Sequence, residues 1–109
     1  MKISLVQFNL PTNTNAGLSY ELARKSWELE ALKLAGGYTL APGFSQGVWK
    51  SESRTYKESM AIYTVACEPR VAAALEDAFW RLFPDQEALF VADLGPASII
   101  TRPQTIAAA

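Results

Sequence analysis

The chain opens on a short alternating run. From Lys2 to Leu10, Val6, Phe8 and Leu10 alternate with Gln7 and Asn9, while Ile3 and Leu5 add apolar character to the other face. A period of two predicts a first strand over these residues. Pro11 and the polar run Thr12-Asn13-Thr14-Asn15 end it. The same run offers N-cap residues, so a helix is expected from Asn15 or Ala16 to about Leu34. Leu18, Leu22, Leu29 and Leu32 read as its core stripe and Glu21/Lys25 as an i,i+4 pair. Gly36-Gly37 supplies its C-terminal cap.

A second strand is expected to begin at Tyr38, break at Ala41-Pro42-Gly43 and resume near Val48-Trp49. A polar hairpin, Lys50 to Arg54, leads into the clearest strand, Thr55 to Ala66. One of its faces carries Tyr56, Glu58, Met60, Ile62 and Thr64. The other carries Lys57, Ser59, Ala61, Tyr63, Val65 and Cys67. Both faces turn apolar toward the end, which predicts burial on both sides there. Pro69 suits the first position of a second helix, with Val71, Leu75, Ala78, Phe79 and Leu82 as the buried stripe and Pro84-Asp85 as the stop. A fourth strand is expected over Ala88 to Ala92. Asp93-Leu94-Gly95-Pro96 reads as a turn or bulge, Ala97 to Thr101 as a short extra strand, and residues 104–109 as a flexible tail.

The order β-α-β-β-α-β predicts an α+β, ferredoxin-like sandwich over residues 1–103, with two helices on one face of an antiparallel sheet. That architecture leaves the other sheet face bare, and a domain with 50% hydrophobic residues is expected to cover it by oligomerising. Trp27, Trp49, Trp80, Tyr38 and Tyr63 exceed what one small core needs, so some are expected at subunit contacts.

Composition then narrows the chemistry. The net charge of −1, with cations scattered along the chain, provides no footprint for a nucleic-acid backbone. No apolar stretch nears the roughly 20 residues of a membrane helix, and no signal peptide is evident. The single Cys67 lies in an apolar run and reads as a small core residue in a cytoplasmic protein. The absence of histidine removes a Ser-His-Asp triad, a zinc site of ordinary composition and a His-ligated haem. No cofactor is expected. Chemistry is left to carboxylates, tyrosines, backbone groups or the ligand itself.

Candidate site residues concentrate between Gly36 and Glu58. Glu58 shares a strand face with Tyr56, so it either meets a ligand or pairs with Arg54 or Lys50. Trp49 and Tyr56 flank the hairpin and either hold a cationic or aromatic ligand or form a structural pair. Gly43 and Gly47 match no phosphate-cradling loop and read as bends or a bulge. Asp93, Gly95 and Ser98 read as a turn on an edge strand. Glu28, Glu30, Glu76 and Asp77 read as solvated helix faces, and Glu68 as a helix-start residue.

The central segment resembles small phage and bacterial proteins of PII-like, ferredoxin-type fold. Ala41-Pro42-Gly43, Gly47, Tyr56-Lys57-Glu58 and Thr64-Val65-Ala66-Cys67 are similar in kind and order to a segment of the phage enzymes that degrade S-adenosylmethionine (SAM lyases, also described as hydrolases). The Gly37-x-Thr39 and Gly47-x-Trp49 spacing is similar to a wider PII-like set. The resemblance spans about half the chain. It implies a homotrimer with sites between subunits, and intramolecular cleavage of the substrate to methylthioadenosine and homoserine lactone without metal. Glu58 would then be the catalytic carboxylate, with Tyr56, Trp49, Gly37 and Thr39 binding substrate. A second family carboxylate has no counterpart here. The alternative implied is a non-enzymatic trimeric module that binds a nucleotide or another small ligand.

Overall fold

The computed structural model describes residues 2–103; the expected tail at 104–109 lies outside the described residues. Its elements are β1 (Ile3–Pro11), α1 (Glu21–Ala35), β2 (Thr39–Leu40), β3 (Ser45–Ser51), β4 (Arg54–Cys67), α2 (Pro69–Leu82) and β5 (Phe90–Ala97). They build a ferredoxin-like α+β sandwich: an antiparallel sheet in the order β2-β4-β1-β5, with β3 also pairing β4. β2 and β3 are two pieces of one edge strand. Thr39 and Leu40 pair with Thr64 and Tyr63, while Ser45 to Ser51 pair with Met60 to Arg54. The break falls at the expected Ala41-Pro42-Gly43, where Gly43 takes a φ of 70° that L side chains rarely adopt.

The core lies between the helices and one face of the sheet. Phe8 and Leu10 of β1, Ala61, Tyr63, Val65 and Cys67 of β4, and Val71, Leu75, Ala78 and Phe79 of α2 are buried there. The stripe expected for α2 is the one observed, and Pro69 opens the helix. Cys67 is a buried core residue, as expected, and burial, reinforced by the Asp93 charge, pushes its thiol pKa up. The carboxyl end of β4 is buried on one face only. Ile62, Thr64 and Ala66 on the other face are half-exposed, because nothing in one copy covers that side of the sheet.

α1 departs from expectation in its start and in its buried face. Residues 12–20 form a loop before the helix begins at Glu21. Asn13 bridges to Ser19, and the Thr14 N–H donates to the Leu18 carbonyl at 2.6 Å. The Thr14 hydroxyl accepts from the Leu18 N–H. The polar side chains read as helix caps thus close this loop instead. The leucines read as core are exposed: Leu22 at 80%, Leu29 at 67% and Leu32 at 53%. The buried residues of α1 are Trp27 and Ala31, with Ala23 and Ala35 packed alongside. Small side chains on that face let the helix approach the layer below, and one indole fills the space between. Trp27 packs edge-on to Phe8 with centroids 5.2 Å apart, lies 5.0 Å from Tyr63, and donates its indole N–H to the Leu75 carbonyl at 3.1 Å. Trp27 and Tyr63 are therefore core residues and not subunit-contact aromatics. Gly36 ends the helix in the left-handed region and donates to the Leu32 carbonyl.

β5 is one strand from Phe90 to Ala97, and residues 98–103 form no further strand. The turn or bulge expected at Asp93-Leu94-Gly95-Pro96 is a bulge inside it. Val6 opposes Asp93 while Ser4 opposes Pro96, so β5 carries one extra residue there. No helix among the described residues is long and apolar enough to cross a membrane.

Candidate functional site

β4 outruns β1. Pro11, the last residue of β1, pairs with Met60, and the Thr12 N–H donates to the Ser59 carbonyl at 3.0 Å. Beyond that point Arg54 to Glu58 have only β3 for a strand neighbour, so the β3–β4 hairpin projects as a two-stranded arm. An open cleft of about 750 Å³ lies between this arm and the loops that follow β1 and α2. Trp49, Arg54, Tyr56, Glu58, Met60 and Phe90 are among its lining residues.

The arm's register explains the arrangement. Trp49 is directly opposite Tyr56, and their rings stack at 4.3 Å with 12° between planes. The Arg54 guanidinium sits 5.2 Å from the Tyr56 ring centroid, a cation–π distance. The result is a layered face of cation, phenol and indole. Glu58 is next along the same face and is opposite Gly47, which brings no side chain. Gly47 leaves the position across from Glu58 without a side chain, and a Cβ there would make ordinary contact with the Met60 Cγ at 3.5 Å. Glu58 is half-buried and, among the described residues, is in ion pair with neither Arg54 nor Lys50. Arg54 is committed to Tyr56 instead.

The far wall is pinned by Asp85. Its carboxylate accepts from the Tyr20 hydroxyl, from the Asn15 N–H at 2.7 Å and from the Gln86 amide at 3.1 Å. The Asn15 side chain in turn donates to the Asp85 carbonyl at 2.9 Å. Desolvation pushes the Asp85 carboxyl up, but these donors outweigh it and hold the group below its usual value. Burial, then the hydrogen bond to Asp85, pushes Tyr20 up to about 12. The sequence marks Asp85 only as a helix stop and Asn15 only as a helix cap. Their partnership spans about 70 residues of sequence and has no local signal.

The structure divides the expected site residues. Trp49, Tyr56 and Glu58 share the cleft, whereas Gly37 and Thr39 line a separate cavity of about 220 Å³ beside Thr64 and Tyr38. Thr39 pairs with Thr64, six residues along β4 from Glu58, which places the groups about 20 Å apart in one copy. Near this second group Glu28 is not a solvated face residue. It accepts from the buried Tyr63 hydroxyl at 2.5 Å and from Tyr38 at 3.1 Å. Burial, followed by this hydrogen bond, pushes both tyrosine pKa values up. Among the described residues no group of three or more Cys, Asp or Glu is placed to hold a metal ion.

No protein-family model matches the chain, and no curated protein matches it either. Solved structures do. The divalent cation tolerance protein CutA1 of Thermus thermophilus superposes with a TM-score of 0.63 at 12% identity, over 94% of this chain and 88% of that one. CutA1 of Oryza sativa gives 0.63 at 18% identity, over 93% and 84%. The divalent ion tolerance protein CutA1 of Ehrlichia chaffeensis gives 0.58 at 17% identity, over 90% and 87%. The chain shares their PII-like, ferredoxin-like fold.

These neighbours overturn the SAM-lyase reading. They are divalent cation tolerance proteins and not SAM-degrading enzymes, so the lyase activity, the SAM substrate and the phage assignment are withdrawn. The geometry shows why the resemblance misled. Ala41-Pro42-Gly43 is the break in an edge strand, Gly47 is the cross-strand partner of Glu58, and Thr64 to Cys67 is the carboxyl end of β4, where it pairs with β1. These residues shape a PII-like scaffold whatever its chemistry.

Proposed function

We propose that the chain is a non-enzymatic PII-like module, assembled as a homotrimer, that takes a nucleotide or another small ligand into the cleft beside the β3–β4 arm. The observation that carries this reading is the Arg54–Tyr56–Trp49 stack, which presents a flat aromatic and cationic surface next to Glu58 in the open cleft. A planar base extends such a stack. Lys57 and Arg54 supply positive charge for an anionic group, and Glu58 accepts from an amino or hydroxyl group. Assembly is supported by the uncovered sheet face and by the arm itself, since a two-stranded ribbon is marginal alone. Only assembly can bring Gly37 and Thr39 of one subunit near Glu58 of another.

The test is titration calorimetry with an adenine nucleotide, with and without Mg²⁺, followed by recovery of the ligand. Saturable binding with the nucleotide intact is expected. Trp49→Ala should weaken it about tenfold or more, since stacking contributes roughly 1–3 kcal/mol per base. No binding at millimolar nucleotide would refute the proposal.

A second reading draws on the names of the neighbours, which connect the fold with divalent cation tolerance. Glu58, half-buried and in none of the ion pairs among the described residues, favours it. With no metal cluster among the described residues of one copy, such a site would need carboxylates from more than one subunit. Binding of a divalent cation without nucleotide, lost in Glu58→Gln, would support this reading over the first.

A further inference from the structure

We infer that Gln86 accepts from the sugar hydroxyls of the bound nucleotide, so that the cleft takes a ribonucleotide in preference to the same nucleotide without those hydroxyls. This rests on the nucleotide reading of the cleft. Gln86 lines the cleft from the loop after α2, across from the arm that carries Glu58. Its backbone is fixed, because the Gln86 N–H donates to the Phe83 carbonyl at 3.1 Å. Its side-chain amide is fixed too. The amide nitrogen donates to the Asp85 carboxylate at 3.1 Å and to the Asn15 Oδ1 at 3.3 Å. Asn15 is itself held in one orientation, since its amide nitrogen donates to the Asp85 carbonyl at 2.9 Å. Reversing the Gln86 amide would set its oxygen against a carboxylate and a carbonyl oxygen, so only one orientation satisfies the network. Both amide hydrogens are thereby used, while the Gln86 Oε1 accepts from no donor in the hydrogen bonds of the described residues.

The network is anchored in the core. The Asp85 carboxylate also accepts from the Asn15 N–H at 2.7 Å and from the Tyr20 hydroxyl. Tyr20 is buried, and its ring packs edge-on to Phe83 with centroids 4.7 Å apart. An acceptor held this firmly loses little freedom when a ligand arrives. On the ligand's side, base and phosphate are both met by the arm, through the Trp49–Tyr56 stack and through Arg54 and Lys57. The sugar joins them, and its donors are the 2′- and 3′-hydroxyls. These are what a wall facing the arm meets, and a sugar without them leaves the Gln86 oxygen unpaired. Asp85 touches no ligand in this arrangement. It is a positioning residue, which turns the oxygen of Gln86 and not its N–H groups toward the cleft.

Calorimetric titration of the full chain with ADP and with 2′,3′-dideoxy-ADP tests this. Wild type should bind the ribonucleotide about fivefold or more tightly. Gln86→Ala should bring the two affinities within about twofold of each other and leave that for the dideoxynucleotide near wild type. Asp85→Asn offers one acceptor oxygen to three donors, so it should shrink the preference as well, with circular dichroism confirming that the variant is folded. Glu58→Gln should keep the preference. Equal affinities in wild type overturn the inference and leave the nucleotide reading standing. So does a preference that survives Gln86→Ala, or one that Glu58→Gln abolishes and Gln86→Ala does not. Binding of neither nucleotide overturns both.

Discussion

Trp27 is expected to carry the attachment of α1, and its replacement gives the sharpest test of the packing. The side chain is fully buried, touches the rings of Phe8 and Tyr63, and donates to the Leu75 carbonyl. Truncating a buried tryptophan to alanine costs about 3–5 kcal/mol, and losing the hydrogen bond adds about 1 kcal/mol. Trp27→Ala should thus lose about 4–6 kcal/mol, against a total of roughly 5–15 kcal/mol for a domain. Its melting temperature should fall by roughly 15–20 °C or more. Trp27→Phe keeps a ring beside Phe8 but loses volume and the donor, so about 1.5–3 kcal/mol is expected. Leu29→Ala, on the exposed side, should change stability by no more than about 0.5 kcal/mol. The assay is urea denaturation of each variant at one fixed protein concentration. A Trp27→Ala loss below about 1 kcal/mol, or a Leu29→Ala loss equal to it, would show that the leucines carry the packing after all.

Three further outcomes are expected. Asp85 has its folded pKa depressed, so its stabilisation is present above the unfolded carboxyl value near 4 and is lost as pH falls through the lower folded value; denaturation at pH 7 and pH 3 should show a smaller acid loss in Asp85→Asn than in wild type. Tyr20, raised to about 12, contributes in the opposite direction: its stabilisation is complete below about pH 10 and is lost as pH rises through 12, a loss that Tyr20→Phe should abolish in alkaline unfolding. Gly36→Ala should cost about 1 kcal/mol in thermal unfolding, because the C-cap φ of 84° strains any side chain although a Cβ would meet nothing.

The parts of the fold legible in the sequence are those where one signal dominates. α2 announces itself through Pro69 and a single apolar face. β4 announces itself through strict alternation, and its neighbouring edge strand breaks where Pro42 and Gly43 deny regular pairing. α1 carries two competing faces. Four leucines outweigh one tryptophan and three alanines in any count of apolar residues, yet the small side chains are what permit close approach to the layer beneath. The stacked Trp49 and Tyr56 are legible because a tight hairpin fixes their register. The separation of Gly37 and Thr39 from Glu58 is not, since it depends on how far β4 runs between two pieces of edge strand. Nor is the Asp85 network, which unites residues with no common spacing.

The arm makes assembly and binding one problem. Its β4 edge from Arg54 to Glu58 lacks the β1 partner that supports the rest of the strand, so the stack of Trp49 on Tyr56 helps hold the ribbon as well as offering a surface. A substitution at either ring removes both contributions together. Glu58 does not share this ambiguity. Its cross-strand partner is Gly47, so its carboxylate has no side chain to support there, and the described ion pairs do not include it. A half-buried carboxylate on a strand face, across from a gap where a glycine brings no side chain, does little for the ribbon. Its place is better accounted for by something that enters the gap, whether a ligand's polar group, a cation or a neighbouring subunit.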